Sequence, residues 1–509
     1  SGRAISLQPV VSKCYFDLGT QRDGASDAAR FRKAAGQVEI PFHLLQKLPG
    51  FLRKNDWKGT AVAVQNRLIA LETGDTSTTA FGVAVDVGTT TVVATLFDLV
   101  SGRDRAIASL MNPQVGFGDD VISRISRVRE NHGTLSEMQH VILKAINSLI
   151  RELVQNGGIA ARNIYEIVIA GNSTMQQIFC GLDPSALGEM PFPQVFDAPL
   201  TIPASTLGIS ANPGAEIFVF PQIGGFVGGD TVAGMLAAGM DKLDRASLLV
   251  DIGTNGEIVL HSGGRMLATS TAAGPAFEGS RIKQGMRATA GAIEKVMIDD
   301  DVLFNVIGNS APVGLCGTAL IDTVAELLRR GIIDETGRIL PPAEVPDTVS
   351  ERLKNRLIEE DGETRFMLVE AEDCASKEAI YLWQKDVREL QLATGAIRAG
   401  TNILLRKAGL KSSDLGQVLL AGAFGNFIRR NNARRIGLLP QISCGNIRFI
   451  GNAASLGAKL ALLSEDERVH AAKLRESAEH IDLSLDTEFQ TEFGMAMMFP
   501  GQDLDSCPD

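Results

Sequence analysis

The sequence contains no Cys-x-x-Cys pair. Its six cysteines stand at 14, 180, 316, 374, 444 and 507, too far apart for a disulfide framework or a zinc site. That usage fits a reducing cytoplasm, the expected location. Cys316, flanked by glycine and apolar residues at a helix start, reads as buried packing. Basic charge is scarce as well: Lys+Arg 49 against Asp+Glu 60 gives a net charge of -11, which argues against nucleic acid as the main partner. No apolar run reaches the ~18 residues of a membrane span, and no charged start leads into an apolar secretion segment. Aromatic residues are only 5%, whereas hydrophobic residues make up 45% and glycines number 52, a profile of α/β layers joined by tight turns. An initiator methionine is missing too. The opening Ser1-Gly2 is read as the start of a fragment, with something upstream removed.

What is present is a repeated pattern. A chain of 509 residues is too long for one core, so two or three domains are expected. Phe81 to Asp98 reads as two apolar strands joined by a Gly-Thr-Thr turn, with Asp86 leaving the first strand just before the turn. Gly88 lets the backbone bend close to a ligand, and the amides and hydroxyls of Thr89, Thr90 and Thr91 suit the oxygens of a polyphosphate. Asp86 would then face a magnesium ion. An ordinary hairpin turn has the same spelling. Ser247 to Leu260 repeats Val-Asp-(Val/Ile)-Gly-Thr, now with Asp251, Gly253, Thr254, Asn255 and Glu257. Ile167 to Ser173 pairs in the same way with Val418 to Gly425, and Gly229 to Ala238 with Gly451 to Ala458. Three paired blocks in one order mark a duplicated domain.

This arrangement resembles the actin-like ATPase superfamily of acetate and sugar kinases, Hsp70 chaperones and actin. The resemblance implies an α/β fold, a duplicated ribonuclease H-like ATPase whose two halves flank a nucleotide cleft, plus a small N-terminal α+β domain. Asp86 to Thr91 would be the first phosphate loop and Asp251 to Glu257 the second. Gly422, Ala423, Phe424, Gly425 and Asn426 would form the adenosine loop, although close helix–strand packing also explains those small residues. Segments beginning at Asp230 and Asn452 would be the two connecting helices. Asp86 and Asp251 would hold a hydrated magnesium ion beside ATP. Asp230 matches the base of the hexokinase Asn-Asp-Thr-Val stretch; it would orient a water against the γ-phosphate or simply cap its helix.

Within the superfamily, the strings Asp251 to Glu257, Ala273 to Gly279, Gly314 to Asp322, Gln391 to Gly400 and Ala421 to Phe427 are most similar to the reductive activators of corrinoid proteins. The similarity runs from about Lys13 to Pro500. It implies ATP-dependent reduction of Co(II) to Co(I) on a partner corrinoid protein of a methyltransferase system, with a ferredoxin-type electron donor and a homodimer formed through the ATPase part. In that family a ferredoxin-like domain carries a [2Fe-2S] cluster on four cysteines. This chain lacks such a cysteine cluster and cannot hold it.

The expected divisions are a middle or linker domain at 1–79, ATPase subdomain I at 80–246, subdomain II at 247–465, and a C-terminal segment at 466–509 packing on the ATPase. Phe42, Leu45, Leu48 and Leu52 give a short helix that Pro49 and Gly50 break or kink, followed by a hairpin around Gln65-Asn66-Arg67. Met138 to Leu153 and Val387 to Leu405 carry apolar stripes of helical period. Asn172, Ser173 and Thr174 are plain helix caps or face the cleft. Pro341 to Thr364 reads as an exposed insertion, and Arg429-Arg430 with Arg434-Arg435 as a solvated face or a docking surface for an acidic protein. Three rivals remain: a small-molecule kinase of the same fold, for which no substrate motif is recognisable; a dehydratase activator, whose paired cysteines are missing; and a nucleotide-binding scaffold without activity.

Overall fold

The computed structural model describes residues 6–20, 24–422 and 428–501. They form two compact units, one comprising Ser1–Ala237 with Ala454–Glu476, the other Ala238–Ala453 with Ser477–Asp509.

The first unit begins with an antiparallel sheet of β1 (Val11–Asp17), β2 (Lys58–Val64) and β3 (Arg67–Glu72). Helices Asp27–Ala35 and Phe42–Lys54 cover it through Phe31, Leu44, Leu48 and Leu52. The buried stripe of the second helix is thus Leu44, Leu48 and Leu52, spaced by four. Phe42 and Leu45, expected inside, are exposed. The helix also continues through Pro49, whose carbonyl accepts from Arg53 Nη1 at 2.8 Å. A buried polar knot ties this sheet to the next one: Lys13 Nζ pairs with Glu72 at 2.7 Å and donates to Tyr165 Oη at 3.0 Å.

The main sheet of this unit contains β4 (Phe81–Val87), β5 (Thr91–Asp98), β6 (Asp104–Met111), β7 (Ile164–Gly171), β8 (Leu200–Pro203) and β9 (Glu216–Val219), in the order β6-β5-β4-β7-β9-β8. β4 is antiparallel to β5 and parallel to β7. Helix Gly133–Gly157 lays Met138, Ile142, Ile146, Leu149 and Leu153 on this sheet and stops at Gly158, whose φ of 64° gives a left-handed cap.

In the second unit β10 (Ser247–Ile252), β11 (Gly256–Ser262) and β12 (Arg265–Thr271) form the same meander. Two small sheets follow, β13 (Ala292–Ile298) with β14 (Val302–Val306) and β15 (Gly314–Leu315), then β16 (Leu357–Glu360) with β17 (Glu363–Val369) and β18 (Ile380–Leu382). Helix Gln384–Lys407 leads into β19 (Gln417–Ala421), and β20 (Ile447–Gly451) and β21 (Ala478–His480) complete the sheet order β20-β19-β10-β11-β12-β21. The central strand β10 is antiparallel to β11 and parallel to β19, as β4 is to β5 and β7. The order 3-2-1-4 therefore occurs twice, continued by a further parallel strand, β9 in one unit and β20 in the other, and the duplication inferred from the repeated blocks is a duplicated sheet.

Two surface expectations need correction. The stretch Pro341 to Thr364 is mostly exposed, as expected, but is no free insertion: Val345, Val349, Leu353 and Leu357 anchor it in the core and its end begins the β16–β17 hairpin. The arginines at 429–435 are not a solvated face either. Arg429 pairs with the buried Asp322 at 2.8 Å, and Arg434 is buried. Cys14, Cys180, Cys316 and Cys374 are free, with Cys316 buried as expected. Cys444 is disulfide-bonded, a link the wide cysteine spacing did not announce. Among the described residues no helix is long and apolar enough to cross a membrane.

Helices Gly229–Ala238 and Ala453–Leu463 touch backbone to backbone, because a Cβ at Gly457 would overlap Ala233 O. Gly457→Val is expected to destabilise the chain by about 1–3 kcal/mol or more through overpacking. Gly494→Ala, in helix Phe489–Ala496 with open space around it, is expected to gain up to about 1 kcal/mol. Urea midpoints of the two variants check the contrast.

Candidate functional site

The first loop begins where β4 ends. Val83, Val85 and Val87 are buried, so a carboxylate is tolerated only near the strand's end, and Asp86 stands there partly exposed. Ser455 Oγ donates to Asp86 Oδ2 at 3.4 Å. The turn closes through Gly88 N donating to Thr91 O at 3.0 Å. A Cβ at Gly88 would lie 2.6 Å from that oxygen, so no other residue fits without movement.

The carbonyls of this turn are held by polar groups. Asn112 Nδ2 donates to Gly88 O at 2.8 Å, Arg124 Nη2 to Thr89 O at 2.6 Å, and Asn112 N to Thr90 O at 2.8 Å. A trans peptide plane points its N–H opposite its C=O. Fixing the Gly88 and Thr89 carbonyls therefore aims the Thr89 and Thr90 amides away from Asn112 and Arg124. Neither amide has an acceptor among the described residues. Two donors aimed to one side, without acceptors among the described residues, are a geometry that can receive an anion.

Two further segments of the same unit converge on this turn. Asn172 caps helix Ser173–Cys180 through Oδ1, which accepts from Met175 N at 2.9 Å, while its Nδ2 donates to Thr89 Oγ1 at 3.0 Å. The alternatives of cap or site contact are thus both realised in one side chain. Ser173 Oγ donates to Gly224 O at 3.1 Å, and a Cβ at Gly228 would lie 2.5 Å from Ser173 N. The glycine-rich stretch before Asp230 is pressed onto that helix start for want of side chains. Asp230 Oδ1 accepts from Thr231 N at 2.7 Å. Burial, and then the negative charge of Asp86, push the Asp230 carboxyl up to about 7.

In the second unit Asp251 stands at the equivalent position of β10, opposite Glu257 of β11 and beside Ala421 of β19. Gly253 N donates to Asn255 O at 3.0 Å, closing the loop that contains Thr254. Thr254 Oγ1 donates to the Glu278 carboxylate, and Ser270 Oγ to Glu257 Oε1 at 3.4 Å. Gly422, with φ of 99°, comes next to Asp251: a Cβ there would lie 2.5 Å from Ile252 O and 2.9 Å from Asp251 Oδ1. Ala423, Phe424, Gly425 and Asn426 lie outside the described residues.

Each unit thus gathers its own set: Asp86, Gly88, Thr89, Thr90, Thr91 and Asp230 in the first, Asp251, Gly253, Thr254, Asn255, Glu257 and Gly422 in the second. Sequence reasoning missed Asn112, Arg124, Ser455 and Glu278. Two of them carried a signal, Glu278 inside the string Ala273 to Gly279 and Ser455 inside the repeated block Gly451 to Ala458.

The family description "C-terminal domain of RACo the ASKHA domain" matches residues 245–509, "RACo middle region" matches 81–243, and "RACo linker region" matches 1–78. The chain is 38% identical to "Corrinoid activation enzyme RamQ" of Eubacterium limosum over 82% of its own length and 70% of that protein. It is 26% identical to "[Co(II) methylated amine-specific corrinoid protein] reductase" of Methanosarcina barkeri over 80% and 75%. A solved structure titled "Reductive activator for corrinoid,iron-sulfur protein" superposes with a TM-score of 0.86 at 34% identity, covering 98% of this chain and 80% of that one.

The raised pKa of Asp230 makes a prediction of definite sign. Its carboxyl titrates near 4 when unfolded and about 7 when folded, so the native state binds more protons between those values. Stability therefore falls as pH rises through that window, by at most about 1.4 kcal/mol per pH unit. Asp230→Asn removes the penalty. Without nucleotide or metal, the variant's urea midpoint is expected to exceed that of the parent at pH 8, with the gap closing towards pH 4.

Proposed function

The chain belongs to the family of reductive activators of corrinoid proteins, and from that premise we infer that it uses ATP to return a partner corrinoid protein from Co(II) to Co(I). The structural observation that supports nucleotide binding is the Gly88–Thr91 turn, with two amides aimed outward and left without acceptors. Phosphate oxygens are the ligands such donors suit. Thr89, Thr90 and Thr91 would bind them in the first unit. Gly253, Thr254, Asn255 and Glu257 would form the corresponding loop in the second.

Asp86 and Asp251 are the proposed magnesium holders. Their fit rests on hard oxygen donors at strand ends and, for Asp86, on a second carboxylate, Asp230, near enough to have its pKa raised by the Asp86 charge. When bound, the ion neutralises charge on the phosphates. Asp230, kept partly protonated near neutral pH, would orient the attacking water and take up its proton. Gly422 is the described part of the proposed adenosine loop. Its tight fit against Ile252 leaves bare backbone there.

A [2Fe-2S] cluster does not fit these residues. The cysteines are dispersed, and among the described residues no three His, Cys, Asp or Glu side chains are placed to hold a metal. We therefore propose a ferredoxin-type donor whose cluster is ligated by other residues, delivering one electron to the Co(II) corrinoid. ATP turnover makes that transfer possible only by favouring one state of the assembly over another. A homodimer through the ATPase part and a cytoplasmic setting complete the proposal.

ATP hydrolysis is expected to rise on addition of a Co(II) corrinoid protein and to ignore sugars. Stimulation by a sugar instead would make the chain a small-molecule kinase. Asp86→Ala is expected to lower the stimulated rate on the order of 100-fold while leaving far-ultraviolet circular dichroism unchanged.

A further inference from the structure

Arg124 is the largest side chain with no exposure among the described residues. It lies on helix Val121–Glu130, which Asp120 anchors with a capping box. Its guanidinium donates from Nε to Gly118 O at 3.0 Å, from Nη2 to Thr89 O at 2.6 Å, and from Nη1 to Met175 Sδ at 3.0 Å. All three acceptors are uncharged. Asp119 and Asp120 act on it only from beyond ion-pair distance, and burial pulls its pKa down to about 10. A cation taken out of water without a counter-ion costs several kcal/mol. Gly118 O and Met175 would be served by any neutral donor, so the fold alone does not explain a full charge at this spot.

The explanation lies on the other side of the turn. We propose that Arg124 is a positioning and specificity-determining residue: it locks the Thr89 carbonyl so that the Thr90 amide faces the ligand, and its charge, in direct ion pair with no carboxylate among the described residues, makes affinity rise with the number of phosphate charges. A buried charge is little screened by salt and acts through a medium of low dielectric constant, so a polyanion a few ångströms beyond the turn feels it strongly. The inference rests on reading Gly88–Thr91 as a phosphate turn and adds to it a means of telling ATP from ADP and AMP.

The test compares affinities of the full chain for ATP, ADP and AMP by titration calorimetry in the presence of Mg2+. Arg124→Gln is expected to weaken ATP about tenfold, ADP about threefold and AMP hardly at all. Met175→Glu, which sets a carboxylate against the guanidinium and leaves its other hydrogen bonds in place, is expected to give the same graded loss. Met175→Gln, the neutral control, is not. An equal loss for all three nucleotides, or identical behaviour of the two Met175 variants, overturns the proposal. The Met175 pair decides the matter even if Arg124→Gln does not fold. Failure of the parent chain to bind any of the three would overturn the phosphate-turn reading itself, and the role of Arg124 with it.

Discussion

A strand buried on both faces has no place for a carboxylate except at its end. β4 and β10 both obey that constraint: Val83, Val85 and Val87, and Leu248, Val250 and Ile252, are buried, while Asp86 and Asp251 stand one residue before the end of their strands. Everything else in each unit follows from presenting that group. The flanking hairpin and the parallel partner strand supply the hydrogen bonds that fix the strand end, and Ala170 of β7 and Ala421 of β19 lie beside it. The site is thus a property of the sheet, and the loops only refine it.

Refinement depends on missing side chains. Gly88, Gly228, Gly422 and Gly457 each stand where a Cβ would meet backbone, or for Gly422 also the Asp251 carboxylate, at no more than about 3 Å. Such contacts let one segment lie directly on another, so the positions of Asp230 and Gly422 are set by neighbouring backbone and not by adjustable side chains. Positions held in this way shift little, which suits donors that must be in place before the ligand arrives.

The duplicated framework was legible in the sequence because it is written locally. Short apolar runs, an acidic residue and a Gly-Thr turn are contiguous signals, and they recur in order. The groups behind the first turn were not legible. Asn112 and Arg124 are ordinary polar residues remote from Gly88–Thr91 in sequence, and only the fold of β6 and the following helix brings them there. Misreadings had a common source as well. Proline and charge in Pro341 to Thr364 mask the apolar spacing of Val345, Val349, Leu353 and Leu357, and among the arginines of 429–435 Arg429 pairs with the buried Asp322, a partner remote from it in sequence. Composition describes average surroundings, whereas burial is decided by specific partners.

The buried charge of Arg124 bears on how much work the nucleotide can do. A ligand shifts an equilibrium only by its difference in affinity between two states. With ATP favoured over ADP about threefold by this charge, the ratio of the expected tenfold and threefold losses, that difference is about 0.7 kcal/mol, equivalent to about 30 mV for a one-electron transfer. A reduction steeper than that needs further differential contacts, from the second loop or from the corrinoid protein itself. Charge discrimination at one turn therefore supplies a bounded share of the driving force, and a partner protein that merely docked, with equal affinity for every nucleotide state, would gain nothing from ATP.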